Sequence, residues 1–237
     1  MATLRSDEQL LCFKIVYCGP ALAGKSTNLN HVHSRLDPAG RSELITLSTA
    51  ADRTLFFDFL AIETQALPGY RTMFQLYTVP GQVNYNATLQ LVLRQADAII
   101  FVADSQMDRQ ADNVQSMQGL EASLRLNGIS LEQLPTVIQY NKRDLPNAAP
   151  LEYMEQLLNN RPTRFATFDA EASNGRNILA TLNAVSTNLL NRFHQQLMAE
   201  HHELRNEARG SPLELRSASV IPTMPEPRAK TEPSLVA

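Results

Sequence analysis

Gly19-Pro20-Ala21-Leu22-Ala23-Gly24-Lys25-Ser26 sets four residues between two glycines and follows the second glycine with Lys-Ser. This is the spacing of a phosphate-binding loop, in which each position has an electrostatic task. The preceding run Phe13-Lys14-Ile15-Val16-Tyr17-Cys18 reads as a buried strand, and Ser26-Thr27-Asn28-Leu29 opens a helix, the context such a loop requires. Backbone N–H groups then converge on phosphate oxygens, helped by the positive end of the helix dipole. Lys25 is expected to neutralise the outer phosphates, and the Ser26 hydroxyl to be one ligand of Mg²⁺. Gly19, Ala21, Leu22, Ala23, Gly24, Lys25, Ser26 and Thr27 are the candidate phosphate-site residues.

The other reading of that stretch, a strand–glycine turn–helix with no ligand, is set aside by a second element. Asn141-Lys142-Arg143-Asp144 follows the apolar run Thr136-Val137-Ile138-Gln139-Tyr140, at the carboxyl end of an expected strand. Open α/β sheets bind ligands at those ends. A carboxylate at Asp144 can accept from the N1 and N2 hydrogens of guanine, whereas adenine has no matching donors and would leave it unpaired. Asn141, Lys142 and Asp144 are therefore candidate base-binding residues, and an ATP-dependent phosphotransferase on the same loop is disfavoured.

Strand-like and helical runs alternate along the chain, the pattern of a doubly wound, mostly parallel sheet with helices on both faces, an α/β fold. Strands are expected at 43–48, 56–62, 72–79, 98–103, 136–140 and 164–168, and helices near 27–35, 86–94, 110–126, 150–158 and 177–197, the last extending to about 209. The nucleotide domain is assigned to residues 1–200, and 201–237 to a polar helix end and a disordered, proline-rich tail.

Bulk properties fit a soluble nucleotide-binding domain. The chain has 237 residues, 43% hydrophobic and 19% charged, with a formal net charge of −3. That balance argues against a protein that sheathes nucleic acid. No run is long and apolar enough to span a membrane, and no signal for a leader or lipid anchor is expected at either end, so cytoplasmic residence is the default. Cys12 and Cys18 would lie on one face of the first strand, too far apart for a disulfide, with Cys18 expected as buried packing. The His31/His33 and His201/His202 pairs lack metal-site spacing.

Two further segments carry chemistry. In Thr78-Val79-Pro80-Gly81-Gln82, the Gly81 backbone can approach a terminal phosphate, and Gln82 can orient an attacking water. In Asp52-Arg53-Thr54, Thr54 is a candidate second hydroxyl ligand of Mg²⁺, and Arg53 a candidate arginine finger supplied in cis.

Taken with Lys14-Ile15-Val16-Tyr17, Asp52 through Phe59, Leu76 through Gln82, Phe101-Val102-Ala103-Asp104-Ser105 and Val137 through Asn147, these residues resemble the Ras-like bacterial small GTPases of the MglA group, from about Phe13 to Leu190. The resemblance implies a P-loop GTPase that cycles between GTP and GDP with Mg²⁺, acts in cell polarity or motility (gliding or type IV pili), and is recruited to a cell pole. It also implies slow hydrolysis, Arg53 and Gln82 as the hydrolytic pair, and stimulation by a dimeric Roadblock-type (MglB-like) partner alongside polarity or motility effectors. Three positions depart from the Ras-like pattern. Thr78 replaces an Asp that holds Mg²⁺ through water, which leaves Asp58 as a candidate helper. Ala21 replaces a Gly beside the reacting phosphate, which suggests an alternative: a nucleotide-binding scaffold with little hydrolysis. Asp169-Ala170-Glu171 stands where Ser-Ala-Lys is usual, with the Ala170 N–H expected to meet guanine O6.

Overall fold

In the computed structural model, which describes residues 3–5, 10–48, 56–67, 70–79, 81 and 86–210, the run ending at Cys18 becomes the central strand of an eight-stranded sheet. The strands are β1 (Thr3–Arg5), β2 (Leu10–Cys18), β3 (Ile45–Ser48), β4 (Phe56–Leu67), β5 (Tyr70–Thr78), β6 (Ala98–Asp104), β7 (Thr136–Asn141) and β8 (Ala166–Asp169). Their order is β3-β4-β5-β2-β6-β7-β8, with β1 added to β2. The pairs β5/β2, β2/β6, β6/β7 and β7/β8 are parallel, whereas β3/β4, β4/β5 and β1/β2 are antiparallel.

Five helices follow from the intervening patterns: α1 (Lys25–Arg35), α2 (Asn86–Leu93), α3 (Gln110–Leu126), α4 (Leu151–Leu158) and α5 (Ile178–Gly210). They cover both faces. Phe13, Ile15 and Tyr17 of β2 pack on one side with Leu29 and Val32 of α1 and Ile178, Leu182 and Val185 of α5. Val16 and Cys18 face the other side, among Leu93 of α2, Leu120 and Leu124 of α3, and Met154 of α4. Burial on both faces is why β6, Ala-Ile-Ile-Phe-Val-Ala-Asp, is continuously apolar rather than alternating and is buried at every position. Each fully buried Leu or Ile here contributes about 1.5–3 kcal/mol.

The sequence reading places the elements correctly and misses some of their extents. β4 runs five residues past the expected end at Ile62, because Glu63 and Thr64 stay in register with Met73 and Thr72 of β5. Arg71 and Glu63 also pair across that edge at 2.6 Å. A polar strand stabilised by its neighbour has weak apolar patterning of its own. β1 was not anticipated for the same reason. The chain divides into two units, Met1–Gln196, which carries the sheet and both cores, and Leu197–Ala237. No described helix is long and apolar enough to cross a membrane.

Candidate nucleotide-binding site

The described loops assigned to the nucleotide leave the sheet at the carboxyl ends of its parallel strands. β2 ends at Cys18 beside β6, which ends at Asp104, and β7 ends at Asn141, so the parallel register brings the carboxyl ends together. The phosphate loop follows β2 directly. Gly24 precedes α1 with φ 102°, a left-handed backbone that an L side chain rarely adopts. A Cβ there would also strike the Asn141 side-chain amide. Gly24 is thus required both for the turn and for the docking of the base loop.

Lys25 is buried, and its Nζ donates to the carbonyls of Gly19 at 2.9 Å and Pro20 at 2.6 Å. Burial lowers its pKa to about 8, an effect partly offset by Cys18 and Asp58 nearby. An anionic phosphate in the loop would favour the charged ammonium again. Ser26 and Thr27 are exposed at the start of α1, where hydroxyls remain reachable. Leu22 has a φ of 63°, uncommon for a residue with a Cβ, and is 83% exposed, so no packing accounts for its conformation. Strain of this kind concentrates at ligand sites.

The base loop is tied to the phosphate loop by one side chain. Asn141 Nδ2 donates to the Ala23 carbonyl at 2.7 Å, and Asn141 Oδ1 accepts from the Ala172 N–H at 2.9 Å. Lys142, with a φ of 67°, pairs with the buried Asp104 carboxylate at 2.7 Å. Asp144 is exposed, with only a long 3.5 Å contact from Ser173, so its carboxylate is available to a base.

Ala170 does not occupy the role expected of it. Its N–H donates to the Tyr140 carbonyl at 2.8 Å and its carbonyl accepts from Arg143 at 3.1 Å, so both backbone groups are spent inside the fold. The loop nearest Asn141 lies two residues on, where Ala172 contacts that side chain. Glu171 points its charge elsewhere: it pairs with Arg176 at 2.7 Å and accepts from Asn174 at 2.6 Å, which hold its carboxyl below the usual range.

Beside the phosphate loop, Gly81 lies so close that a Cβ would collide with the backbone of Pro20 and Ala21. Arg53, Thr54 and Gln82 lie outside the described residues. Asp58 is buried on β4, where it accepts from the hydroxyls of Thr46 and Thr78 at 2.9 Å each. Among the described residues no group of three or more His, Cys, Asp or Glu side chains comes together.

The site also contains residues that the sequence did not single out by role. Asp104 is fully buried with its carboxylate between Lys142, the Gln106 N–H at 3.0 Å and Arg109 Nε at 4.0 Å. An acidic residue closing a wholly apolar strand is the signal that points to it. Arg109 donates to the Ala21 carbonyl at 3.0 Å, a contact across 88 residues that no local pattern announces.

A family model described as the ADP-ribosylation factor family matches residues 6–189. The Mutual gliding-motility protein MglA of Myxococcus xanthus (strain DK1622) is 45% identical over 181 residues, which span 76% of this chain and 91% of that protein.

Proposed function

Because this chain belongs to the ADP-ribosylation factor family, as an MglA-like small GTPase, we propose that it is a switch that binds GTP, hydrolyses it slowly to GDP and phosphate, and controls cell polarity or motility. The observation that carries the nucleotide reading is Asn141, whose side chain joins the base loop to the phosphate loop and so holds the two halves of a guanine-nucleotide site in one frame. A role in motility comes by extension from the relative's name, and a Roadblock-type activating partner, effectors and recruitment to a pole from the resemblance in the switch segments.

The buried Lys25 supplies positive charge where phosphate oxygens would sit, and the exposed Ser26 hydroxyl, with Thr54, would hold Mg²⁺. These residues fit the ion: an accessible hydroxyl at the start of α1, with a buried carboxylate, Asp58, held by the Thr78 hydroxyl. Bound Mg²⁺ neutralises charge developing on the outer phosphates. Gln82 orients the attacking water, and Arg53 stabilises charge in the transition state. Asp144 selects guanine by accepting from N1–H and N2–H. The Ala172 N–H, like that of Ala170, is already donated within the fold, so the O6 contact is assigned to the loop that carries them without a named donor.

The test has two arms. Competition against a fluorescent GDP should show displacement by GTP and GDP but not by ATP at similar concentration. Asp144→Asn should move the preference from guanosine to xanthosine diphosphate, because an amide pairs with N1–H and O2 of xanthine. ATP competing as well as GDP would overturn the guanine reading. Single-turnover hydrolysis, with and without a Roadblock partner, tests the cycle, and loss of stimulation in Arg53→Ala and Gln82→Ala tests the pair.

A second reading is favoured by the packing of Gly81 on Ala21. An extra methyl group on Ala21, whose backbone lies against Gly81, suits a protein that binds nucleotide but scarcely hydrolyses it, acting as a nucleotide-stabilised scaffold. Sustained effector binding without phosphate release, even with the partner, would support it.

A further inference from the structure

Arg109 ends a single 3-10 turn, Met107–Arg109, that runs directly into α3, its N–H donating to the Gln106 carbonyl at 3.0 Å. It is the N-cap of α3, a position that favours Ser, Thr, Asp or Asn, and its positive charge opposes the positive end of the helix dipole. Asp112 in the first turn offsets part of that conflict, pairing with Nη1 at 2.7 Å. A conflict between a residue and its local structure, once compensated, marks a role outside the helix.

That role is visible in the other two nitrogens. Nη2 donates to the Ala21 carbonyl at 3.0 Å, and Nε lies 4.0 Å from the Asp104 carboxylate that also binds Lys142. The side chain is 31% exposed, touches the phosphate loop at Ala21 and reaches the base loop only through Asp104. The Ala21–Leu22 peptide is trans, so its C=O and N–H point in opposite directions. Fixing the Ala21 oxygen toward Arg109 therefore fixes the Leu22 N–H away from it.

The alternative orientation is accessible. Rotating that peptide plane by half a turn would carry Leu22 from φ 63° to about −117°, near the third residue of a type I turn, which keeps the Ala23 N–H donation to the Pro20 carbonyl. Leu22 is 83% exposed, so packing does not resist the flip. The flip would relieve the left-handed strain and turn the N–H to the opposite side. Something must hold the strained form, and Arg109 is the group that touches it.

We infer that Arg109 is a positioning residue for the phosphate cradle: it anchors the Ala21 carbonyl so that the Leu22 N–H faces the nucleotide's phosphates, and through Asp104 it couples that loop to Lys142 in the base loop. This rests on the guanine-nucleotide reading above. A lysine cannot reproduce it, because an ammonium lacks the planar fork that engages three partners at once.

The experiment uses the full chain labelled with [¹⁵N]leucine, with the Leu22 amide identified by its loss in Leu22→Met. GDP should shift the Leu22 amide of the wild type as a phosphate-bound N–H, and Arg109→Ala should abolish that shift while the other leucine amides keep theirs. Release of a fluorescent GDP should accelerate about tenfold in Arg109→Ala and about threefold in Arg109→Lys, in line with the loss of a charged hydrogen bond. A general structural defect would move many leucine amides together. If Arg109→Ala fails to fold, Arg109→Lys decides by the same two readings. An unchanged Leu22 shift with release within twofold of wild type overturns the inference and leaves the GTPase reading intact, whereas a wild type that binds no GDP overturns the GTPase reading first.

Discussion

Ala21 is half-buried and carries its methyl group on the phosphate loop beside Gly81. Its backbone is so near Gly81 that no Cβ fits between them, and Gly81 leads directly to the residue proposed to orient the water. Displacements of about 1 Å in such a site cost about 10²-fold in rate. Ala21→Gly should therefore raise partner-stimulated single-turnover hydrolysis by up to about 10²-fold while leaving GDP affinity within about threefold. Equal rates in the two proteins would make Ala21 a tolerated substitution and remove the support for a scaffold. Cys18, one residue before the loop, invites a different expectation. It is free and buried, and burial pushes its thiol up to about 12. At pH 8 only about one thiol in 10⁴ is then ionised, too few for a nucleophile. Iodoacetamide should leave Cys18 unmodified in the native protein and label it after denaturation, as mass spectrometry of the peptides would show. Native labelling of Cys18 would mean that the strand end opens.

At the scale of elements, the strands on the antiparallel side of β2 do more than extend the sheet. Asp58 of β4 accepts from Thr46 of β3 and Thr78 of β5, while its own N–H donates to the Thr78 hydroxyl at 2.8 Å. This places a buried carboxylate level with the strand end where Thr78 stands, near enough to Lys25 that its charge favours the ammonium. Asp58→Asn keeps hydrogen-bonding capacity for both threonines, so its stability cost should be under about 1.5 kcal/mol. Its lost charge should raise by about tenfold the Mg²⁺ concentration that retains bound GDP, read from release rates in a metal titration. A shift in stability without a shift in Mg²⁺ dependence would make Asp58 purely structural. The parallel half of the sheet was legible in the sequence because burial on both faces leaves long apolar runs, as in Ala98–Asp104. The antiparallel edge was half-legible: Glu63 and Thr64 are strand residues only because Met73 and Thr72 pair with them. In the candidate site, spacing and chemistry single out Lys25, Asn141 and Asp144, and the structure places their loops at the carboxyl ends of neighbouring parallel strands. Ala170 was misread because a two-residue offset in a loop changes which N–H is spent in the ladder, and the offset carries no apolar signal. Arg109 was unreadable, since its partner Ala21 is brought to it only by the closing of β2 on β6.

At the scale of the molecule, both apolar cores and all the described nucleotide loops fall within Met1–Gln196. Stability and nucleotide affinity should therefore be properties of that unit alone. Nucleotide binding is linked to folding of the same unit, because the phosphate loop joins β2 to α1 and the base loop joins β7 to α4 across the central sheet. A ligand at about a hundredfold over its Kd adds about 2.7 kcal/mol to the folded state. For a domain of about 200 residues, that corresponds to a rise in Tm of about 5–10 °C. Mg²⁺ with GDP should produce that rise by calorimetry, and ATP should not. Ending the chain after Gly210 should preserve both the basal Tm and the GDP-induced rise, since the last described residue packed on the core is Phe193, against Phe13. A truncated protein that melts like the full chain but loses the GDP-induced rise would place the tail in the nucleotide cycle, and a lower basal Tm would place it against the core.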